Sequence, residues 1–307
     1  MENDIEENKP EEKKDIVDIM SKFTSIYTPE YMAELAIKCY EDDRNYPENF
    51  SNWFPKIKSF GEFTHAKVIA NQILTFEEVE DLQRCDDIDN VDWNRLKEIF
   101  KPTLDRLKPR TWYNIKNGCF SNKFDFDTCV TTKDDFLKKL WMINYNSCMF
   151  ETGGHTEVVV RDYIPYDPDH CLTIYNGMPL RTEVRVFYNM DTKQIEYVVD
   201  YWDYDYCSPN IRKLNDRIIF DVFHNKTEIK VTDHNAEYER IVQRIKDKID
   251  TLEFEGLEGI WSIDFMYDNN TGKTYLIDMA RGFRSAYWSI NKLSEESRNK
   301  ILNEIDE

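Results

Sequence analysis

Residues 259–268 read GIWSIDFMYD and residues 273–280 read KTYLIDMA, and this pair of stretches decides the fold of the chain. Both are rich in apolar and aromatic residues, which favour strands. Residues 269–272 between them read NNTG, and asparagine and glycine tolerate the positive φ that tight turns need. The sequence therefore predicts an antiparallel hairpin, around which the rest of the chain is organised.

Each predicted strand carries one aspartate in an otherwise apolar run, Asp264 in the first and Asp278 in the second. Carboxylates are depleted in strand interiors and are costly to bury unpaired. At ~4 Å separation and an effective dielectric of ~20 the two repel by roughly 4 kcal/mol, and a cation between them reverses the sign. Mg²⁺ is the predicted cation, because it takes oxygen ligands from one or two carboxylates and from phosphates. The alternative is that the aspartates pair with Arg281 and Arg284 and only close the sheet.

The charge balance narrows the classes of partner. The chain has 307 residues, with 40 Lys plus Arg against 59 Asp plus Glu and a net charge of −19. Such a field repels phosphate backbones and anionic lipid, so we expect no nucleic acid and no membrane among its partners. It suits a basic protein partner, or it serves solubility alone.

Composition also bears on the compartment. No apolar run approaches the ~20 residues of a membrane span, and the start, MENDIEENKPEEKK, lacks the apolar core of a secretion signal. The seven cysteines are odd in number and show no metal-clip spacing, so we expect neither a disulfide framework nor a zinc site. These features predict a reducing, cytoplasmic location.

The periodicity along the chain predicts an α+β fold with a mainly antiparallel sheet in its second half. Residues 1–14 are charged and nearly free of apolar residues, which predicts a disordered acidic tail. A capping box at residues 75–78 predicts a short helix, and the acidic stretch 77–92 is interpreted as a solvated linker. The clearest amphipathic helix is predicted over 233–252, with its apolar face formed by Ile241, Ile245, Ile249 and Leu252. Further helices are predicted at 28–40, 96–107 with an interruption at Pro102, 132–146 and from 294, and strands at 65–73, 111–115, 156–164, 180–189 and 194–202.

Charged side chains on or beside the predicted strands are candidates for ligand contacts. Period-two alternation in strand 180–189 places Glu183 and Arg185 on one face, where they either reach a ligand or form an exposed charged surface. Lys116 follows a predicted strand and precedes a loop containing Gly118. Both Lys116 and Lys123, across that loop, either bind nucleotide phosphates or are solvated surface groups. The sequence contains no GxxxxGK[ST] and no GxGxxG, the commonest phosphate cradles.

A short apolar run ends in polar residues. Residues 158–160 read VVV and are followed by Arg161, Asp162, Tyr163 and Ile164. This arrangement puts polar side chains and free backbone groups at a strand end, as recognition of a purine edge requires.

Taken in order, five segments resemble the D123 (cell division cycle 123-like) family of ATP-grasp proteins. Residues 50–55, FSNWFP, resemble its FSxW[YF]P signature, and residues 116–125, KNGCFSNKFD, resemble its segment with a nucleotide lysine. Residues 157–163, EVVVRDY, resemble ELVLRKW, and residues 183–187, EVRVF, resemble EFRCF. Residues 262–280 resemble the closing FDIYxDxxGKxWLIDFN strands. Each motif is short, and their common order over residues 50–288 makes the match specific.

The resemblance implies an ATP-grasp fold that binds ATP and Mg²⁺. It implies an N-terminal α/β subdomain over 15–110, a small nucleotide lid over 111–165, and a C-terminal subdomain with the metal site over 166–307. In this arrangement Lys116 touches the α and β phosphates, and Lys123 and Glu183 belong to the same nucleotide site.

The remaining roles follow from the same resemblance. Arg161 lies at the nucleotide edge, and the backbone of Asp162, Tyr163 and Ile164 lines adenine. Arg185 faces the terminal phosphate and is the candidate catalytic residue. The two metal ligands are Asp264 and Asp278.

This sequence departs from the family pattern at three places. Ala280 stands where the family has an asparagine as a further Mg²⁺ ligand, Trp202 stands where an arginine is usual, and the loop after Lys116 contains Gly118 and no proline. Two carboxylates with water still make a feasible Mg²⁺ site. The family implies an ATP-dependent assembly chaperone or binding protein for a translation-factor-like partner. The alternative is an ATP-dependent carboxylate–amine ligase that forms an acyl-phosphate and acts on an amino-acid or peptide substrate.

Overall fold

The computed structural model describes residues 28–84, 87–118, 120–149, 156–227 and 234–306. The predicted tail at residues 1–14 lies outside these ranges. Within them the chain combines helices with antiparallel sheets, so the α+β expectation is confirmed. No helix in the described ranges has both the length and the apolar character to cross a bilayer.

The predicted hairpin forms one edge of a four-stranded sheet, here called the C-terminal sheet. In chain order its strands are β8 (Glu183–Asn189), β9 (Gln194–Asp200), β11 (Ile260–Asp268) and β12 (Lys273–Arg281), and their order in the sheet is β12-β11-β8-β9. Every neighbouring pair is antiparallel, which confirms the predicted hairpin and sheet type. Gly272 in the turn has φ +68°, the conformation that glycine adopts at low cost.

One β-bulge interrupts the pairing of β11 with β12. Asp264 pairs with Asp278 and Phe265 pairs with Leu276, so Ile277 is an extra residue on β12. The bulge lets Ile277 and Asp278, although consecutive, both line the same cavity.

A second four-stranded antiparallel sheet, the N-terminal sheet, has the order β2-β5-β3-β4. Its strands are β2 (Val68–Ile73), β3 (Tyr113–Asn117), β4 (Val130–Thr131) and β5 (Glu157–Asp162). Lys116 lies within β3, so the prediction that the strand ends before this residue was wrong. Two further pairs are β1 (Ile57–Ser59) with β10 (Glu253–Phe254) and β6 (Thr173–Ile174) with β7 (Met178–Pro179).

The helices follow most of the predicted segments. In chain order they are α1 (Pro29–Arg44), α2 (Phe50–Trp53), α3 (Phe76–Gln83), α4 (Trp93–Ile99), α5 (Lys101–Leu104), α6 (Phe136–Met149), α7 (Tyr204–Cys207), α8 (Leu214–Phe223), α9 (His234–Lys248) and α10 (Glu295–Asp306). The interruption at Pro102 is confirmed, because this residue lies in the first turn of α5, where proline is tolerated.

The interpretation of residues 77–92 as a linker was wrong for residues 77–83, which belong to helix α3. The capping box forms as predicted, with the Thr75 side chain accepting from the backbone N–H of Glu78. Helix α3 then buries Val79 and Leu82, whose three-residue spacing places them on one face. The acidic side chains of residues 77–83 therefore belong to the more exposed side of a packed helix.

Helices pack against the apolar face of each sheet. Helix α9 contacts β8 and β9, and its predicted apolar face is confirmed because Ile241 and Ile245 are fully buried. The N-terminal sheet packs its Tyr113 and Ile115 into a second core that includes Phe136 and Leu140 of α6. Because side chains alternate along a strand, Asn114 and Lys116 of β3 lie on the face opposite Tyr113 and Ile115.

Candidate functional site

A cavity of about 150 Å³ lies where the polar faces of the two sheets meet. The alternation in β3 directs Asn114 and Lys116 to it, and the alternation in β8 directs Glu183 to it. The structure brings to its wall every predicted site residue except Arg185, namely Lys116, Lys123, Arg161, Asp162, Tyr163, Ile164, Glu183, Asp264 and Asp278.

Asp264 and Asp278 face each other across β11 and β12, and we call them the carboxylate pair. Residues directly opposite on antiparallel strands have Cβ atoms roughly 5 Å apart, which suits two carboxylates that share one ion. The alternative partners suggested by the sequence were wrong, because Arg281 binds Glu48 at 2.7 Å and Arg284 lies over the rings of Tyr46 and Phe283.

Each member of the carboxylate pair binds a cation of the protein. The Nζ atom of Lys116 donates to both carboxylate oxygens of Asp278, at 2.9 and 3.0 Å. The Nε and Nη2 atoms of Arg185 donate to the two oxygens of Asp264, both at 2.7 Å. Lys116 is 1% exposed, so its interpretation as a solvated surface group was wrong.

Two further cationic side chains, Lys123 and Arg161, reach across the cavity. Lys123 begins the 3₁₀ helix Lys123–Cys129, and its Nζ donates to the hydroxyl of Tyr201 and lies 4.5 Å from the centre of that ring. Arg161 on β5 donates to the backbone oxygen of Ile277 at 2.6 Å. Burial lowers the pKa of Arg161, and the charge of Asp278 opposes that change.

Residues 162–164 form the wall beside Arg161. The backbone N–H of Asp162 donates to the oxygen of Lys67 at 2.8 Å, and Arg181 donates to the oxygen of Ile164 at 2.7 Å. Arg181 and Tyr201 both line the cavity, and sequence reasoning missed them. A signal for Arg181 was its position in the predicted strand 180–189, two residues before Glu183 and so on the same face, whereas Tyr201 had none.

Arg185 is absent from the part of the cavity wall that the described residues form. Its guanidinium holds Asp264, donates to the oxygen of Ala286 at 3.1 Å and lies 4.9 Å from the centre of the Tyr201 ring. Burial by itself lowers the pKa of Arg185, but contact with Asp264 more than offsets this and the net pKa is raised. In this structure Arg185 therefore reaches the cavity through Asp264, and its contact with a terminal phosphate stays a prediction.

Glu183 is 3% exposed, so the exposed charged surface considered from the sequence was wrong. Burial raises the pKa of this carboxyl to about 7, although the charges of Lys123 and Arg181 oppose the rise. A carboxyl that titrates near neutrality and interacts with the charges of Lys123 and Arg181 is suited to gain or lose a proton when a ligand enters.

Glu183→Gln should remove a pH dependence of stability. Between its usual pKa of 4.5 and about 7 the folded chain holds a proton that the unfolded chain has lost. The free energy of unfolding therefore falls as pH rises through this window, by roughly 3 kcal/mol in total. Urea unfolding at a series of pH values from 4 to 8 measures this change in the free energy of unfolding. If that free energy changes with pH equally in Glu183→Gln and in the wild type, the prediction is contradicted.

His224 also makes the free energy of unfolding depend on pH, so the test must compare Glu183→Gln with the wild type. Burial lowers the pKa of His224 to about 4, so its contribution to stability rises with pH up to about 6.5 and opposes that of Glu183. Both proteins keep His224, and the difference between their unfolding free energies isolates Glu183.

The charges of the cavity suit a phosphorylated ligand with a divalent cation. Four cationic side chains line it, Lys116, Lys123, Arg161 and Arg181, and four acidic ones, Asp162, Glu183, Asp264 and Asp278. The described residues contain no group of three or more His, Cys, Asp or Glu side chains placed to hold a metal. The carboxylate pair fits Mg²⁺, which commonly takes one or two protein carboxylates and completes its octahedron with phosphate oxygens and water.

Ala280 lies two residues along β12 from Asp278 and opposite Ser262. Its methyl side chain offers no ligand to a metal ion. Position 280 therefore adds no side-chain ligand to the carboxylate pair.

No family model and no curated protein matches the sequence. The structure is similar to that of Cdc123 from Schizosaccharomyces pombe, with 14% identity, a TM-score of 0.44, and coverage of 84% of this chain and 94% of the other. A C-terminally truncated Cdc123 from the same organism gives 14% identity and 0.44, with 81% and 91% covered. Likeness at this level of superposition assigns neither a fold family nor a function to the chain.

Proposed function

We propose that this protein binds ATP with Mg²⁺ between its two sheets, in an ATP-grasp arrangement. The observation that carries the proposal is the carboxylate pair, which lies in one cavity with the buried amine of Lys116 and the guanidinium of Arg161. Two opposed carboxylates that face clustered cations meet the needs of a metal–polyphosphate complex, whose charge is divided between cation and anion.

The side chains divide by role in this proposal. Lys116, Lys123 and Arg161 bind phosphate oxygens, and the carboxylate pair holds Mg²⁺, which neutralises phosphate charge and orients the phosphates when it is bound. The backbone at 162–164 and the apolar side chains of Tyr163 and Ile164 receive the purine. Residues 111–165, which carry the two lysines, correspond to the nucleotide lid.

We propose further that the protein acts as a D123-like assembly chaperone or binding protein for a translation-factor-like partner. Support comes from the FSNWFP stretch, which is built into the core: Phe50 and Trp53 are buried and pack edge to face, with ring centres 5.1 Å apart. The backbone N–H of Ser51 donates to the Glu157 carboxylate at 3.1 Å, which ties the stretch to the start of β5. The net charge of −19 suits a basic partner.

The alternative function is a carboxylate–amine ligase that uses the same nucleotide site. Glu183 is the observation that favours it, because a carboxyl with a pKa of about 7 in the cavity is suited to proton transfer near neutral pH. Ala280 favours the binding protein, because the site lacks the third protein ligand of the family.

Titration calorimetry with ATP and Mg²⁺ tests the nucleotide site, and we expect saturable binding with one site per chain. Absence of binding contradicts the proposal. Release of ADP on addition of amino acids or peptides favours the ligase. Stoichiometric recovery of a basic translation factor from the native cell, without ADP release, favours the assembly function.

A further inference from the structure

The carboxylate pair is already neutralised by cations of the protein. Asp278 is held through both oxygens by the single amine of Lys116, and Asp264 through both oxygens by the guanidinium of Arg185. A metal ion that binds the pair must therefore replace or share these contacts.

The two ion pairs differ in how firmly the cation is held. The Arg185 side chain is anchored by the Ala286 oxygen and by the Tyr201 ring, and it forms a planar two-point contact with Asp264. Among the residues that the structure describes, the Lys116 amine donates both of its hydrogen bonds to Asp278. The side chain of Asp278 is 35% exposed, whereas that of Asp264 is 8% exposed. A lysine amine on a flexible stem changes partners more readily than an anchored guanidinium. Lys116 is the cation that can leave.

We propose that Lys116 occupies the cation position at Asp278 until a polyphosphate binds, so that the nucleotide enters before the divalent cation. This order of binding rests on the proposed function. A divalent cation that arrives first meets an ammonium on the same carboxylate and a guanidinium on the other, and the like charges repel in a buried site. A polyphosphate instead gives Lys116 a new anionic partner, which frees Asp278, and supplies the further oxygens that the cation needs.

The order of binding has a thermodynamic consequence. Because Lys116 blocks the metal in the absence of nucleotide, nucleotide and metal must each raise the affinity for the other by the same factor. Removal of the amine should reduce this coupling, because the metal then binds without nucleotide.

The test uses Mn²⁺ alone as the probe, with free Mn²⁺ measured by electron paramagnetic resonance. We expect no saturable binding by the wild type without nucleotide. Lys116→Met should bind Mn²⁺ at least about 10-fold more tightly than the wild type, within the usual range of coupling between sites. Lys58→Met is the matched control, because Lys58 is an exposed lysine that also pairs with a carboxylate, Glu255 at 2.6 Å. It should behave as the wild type.

Two results overturn the inference: Mn²⁺ binding by the wild type as tight as by Lys116→Met, and failure of both proteins to bind Mn²⁺ alone. If Lys116→Met does not fold, thermal unfolding of the wild type tests the inference instead. Mn²⁺ alone should leave Tm unchanged, and ATP with EDTA should raise Tm. A rise in Tm with Mn²⁺ alone, or no rise in Tm with ATP and EDTA, overturns the proposed order of binding. Failure of the wild type to bind ATP with Mn²⁺ refutes the proposed function, and the nucleotide-free comparison still decides the role of Lys116.

Discussion

Asp278→Asn should lower the affinity for ATP with Mg²⁺ about 100-fold, which corresponds to roughly 2.7 kcal/mol. The change removes one member of the carboxylate pair, and the methyl side chain of Ala280 offers no ligand in its place. The amide keeps the size of the side chain and leaves an oxygen that accepts from Lys116, so the loss reflects charge and metal ligation more than packing. Titration calorimetry measures the effect.

Asp191→Ala is the matched control for this variant. Asp191 also pairs with a lysine, Lys300 at 2.9 Å, but it lies in the turn between β8 and β9, outside the cavity wall. It should bind ATP with Mg²⁺ as the wild type does. Equal binding by Asp278→Asn and the wild type, with both folded by circular dichroism, would count against the metal site.

Arg185→Leu should lower the free energy of unfolding by about 3–5 kcal/mol, the usual cost of removing one partner of a buried ion pair. The side chains of Arg185 and Asp264 are only 11% and 8% exposed, so the aspartate is left charged with little water to compensate. Urea unfolding at pH 7 measures the loss.

The double variant Arg185→Leu with Asp264→Leu should recover most of that stability, because two apolar side chains leave no buried charge behind. Lys58→Met, which breaks an exposed ion pair, should leave the free energy of unfolding nearly unchanged. If Arg185→Leu costs no more than Lys58→Met, the contact between Arg185 and Asp264 has little effect on stability. In that case something other than the ion pair with Arg185 holds Asp264 at the cavity.

Period-two patterning was enough to predict the hairpin and the shared face of its neighbours. Asp264 and Asp278 stand out because a charge within an apolar strand is unusual, and alternation alone placed Glu183 with Arg185. These inferences succeeded because they depend on local geometry, which the order of residues fixes.

Strand alternation could not predict the ion-pair partners of Asp264 and Asp278. Lys116 pairs with Asp278 across 162 positions of sequence, and Arg185 pairs with Asp264 across 79. Lys116 meets Asp278 because of how the two sheets are placed, and Arg185 meets Asp264 because β8 pairs with β11 in this register, and neither is encoded locally. The nearby Arg281 was the natural guess from sequence, but Glu48, from a distant helix–helix connection, is its partner.

The predicted boundaries of two segments, the strand near Lys116 and the stretch 77–92, were wrong for a different reason. Lys116 looked like the first loop residue because a lysine is rarely buried, yet the strand continues through it once a carboxylate compensates its charge. The acidic stretch at 77–92 looked like a linker because composition outweighed the spacing of Val79 and Leu82. Tyr201 carried no signal, since a tyrosine at a strand end is common.

The bulge at Ile277 determines where β12 tolerates a change of length. Deleting Ile277 should leave both halves of the strand in their existing pairing, and it removes the backbone oxygen that accepts from Arg161 and one side chain of the cavity wall. Deleting Met279 instead slides one half by a residue and turns its side chains to the opposite face. Insertions and deletions in distant relatives of this hairpin should therefore gather at the position of Ile277, and an alignment that places a gap elsewhere in the strand misassigns the aspartate.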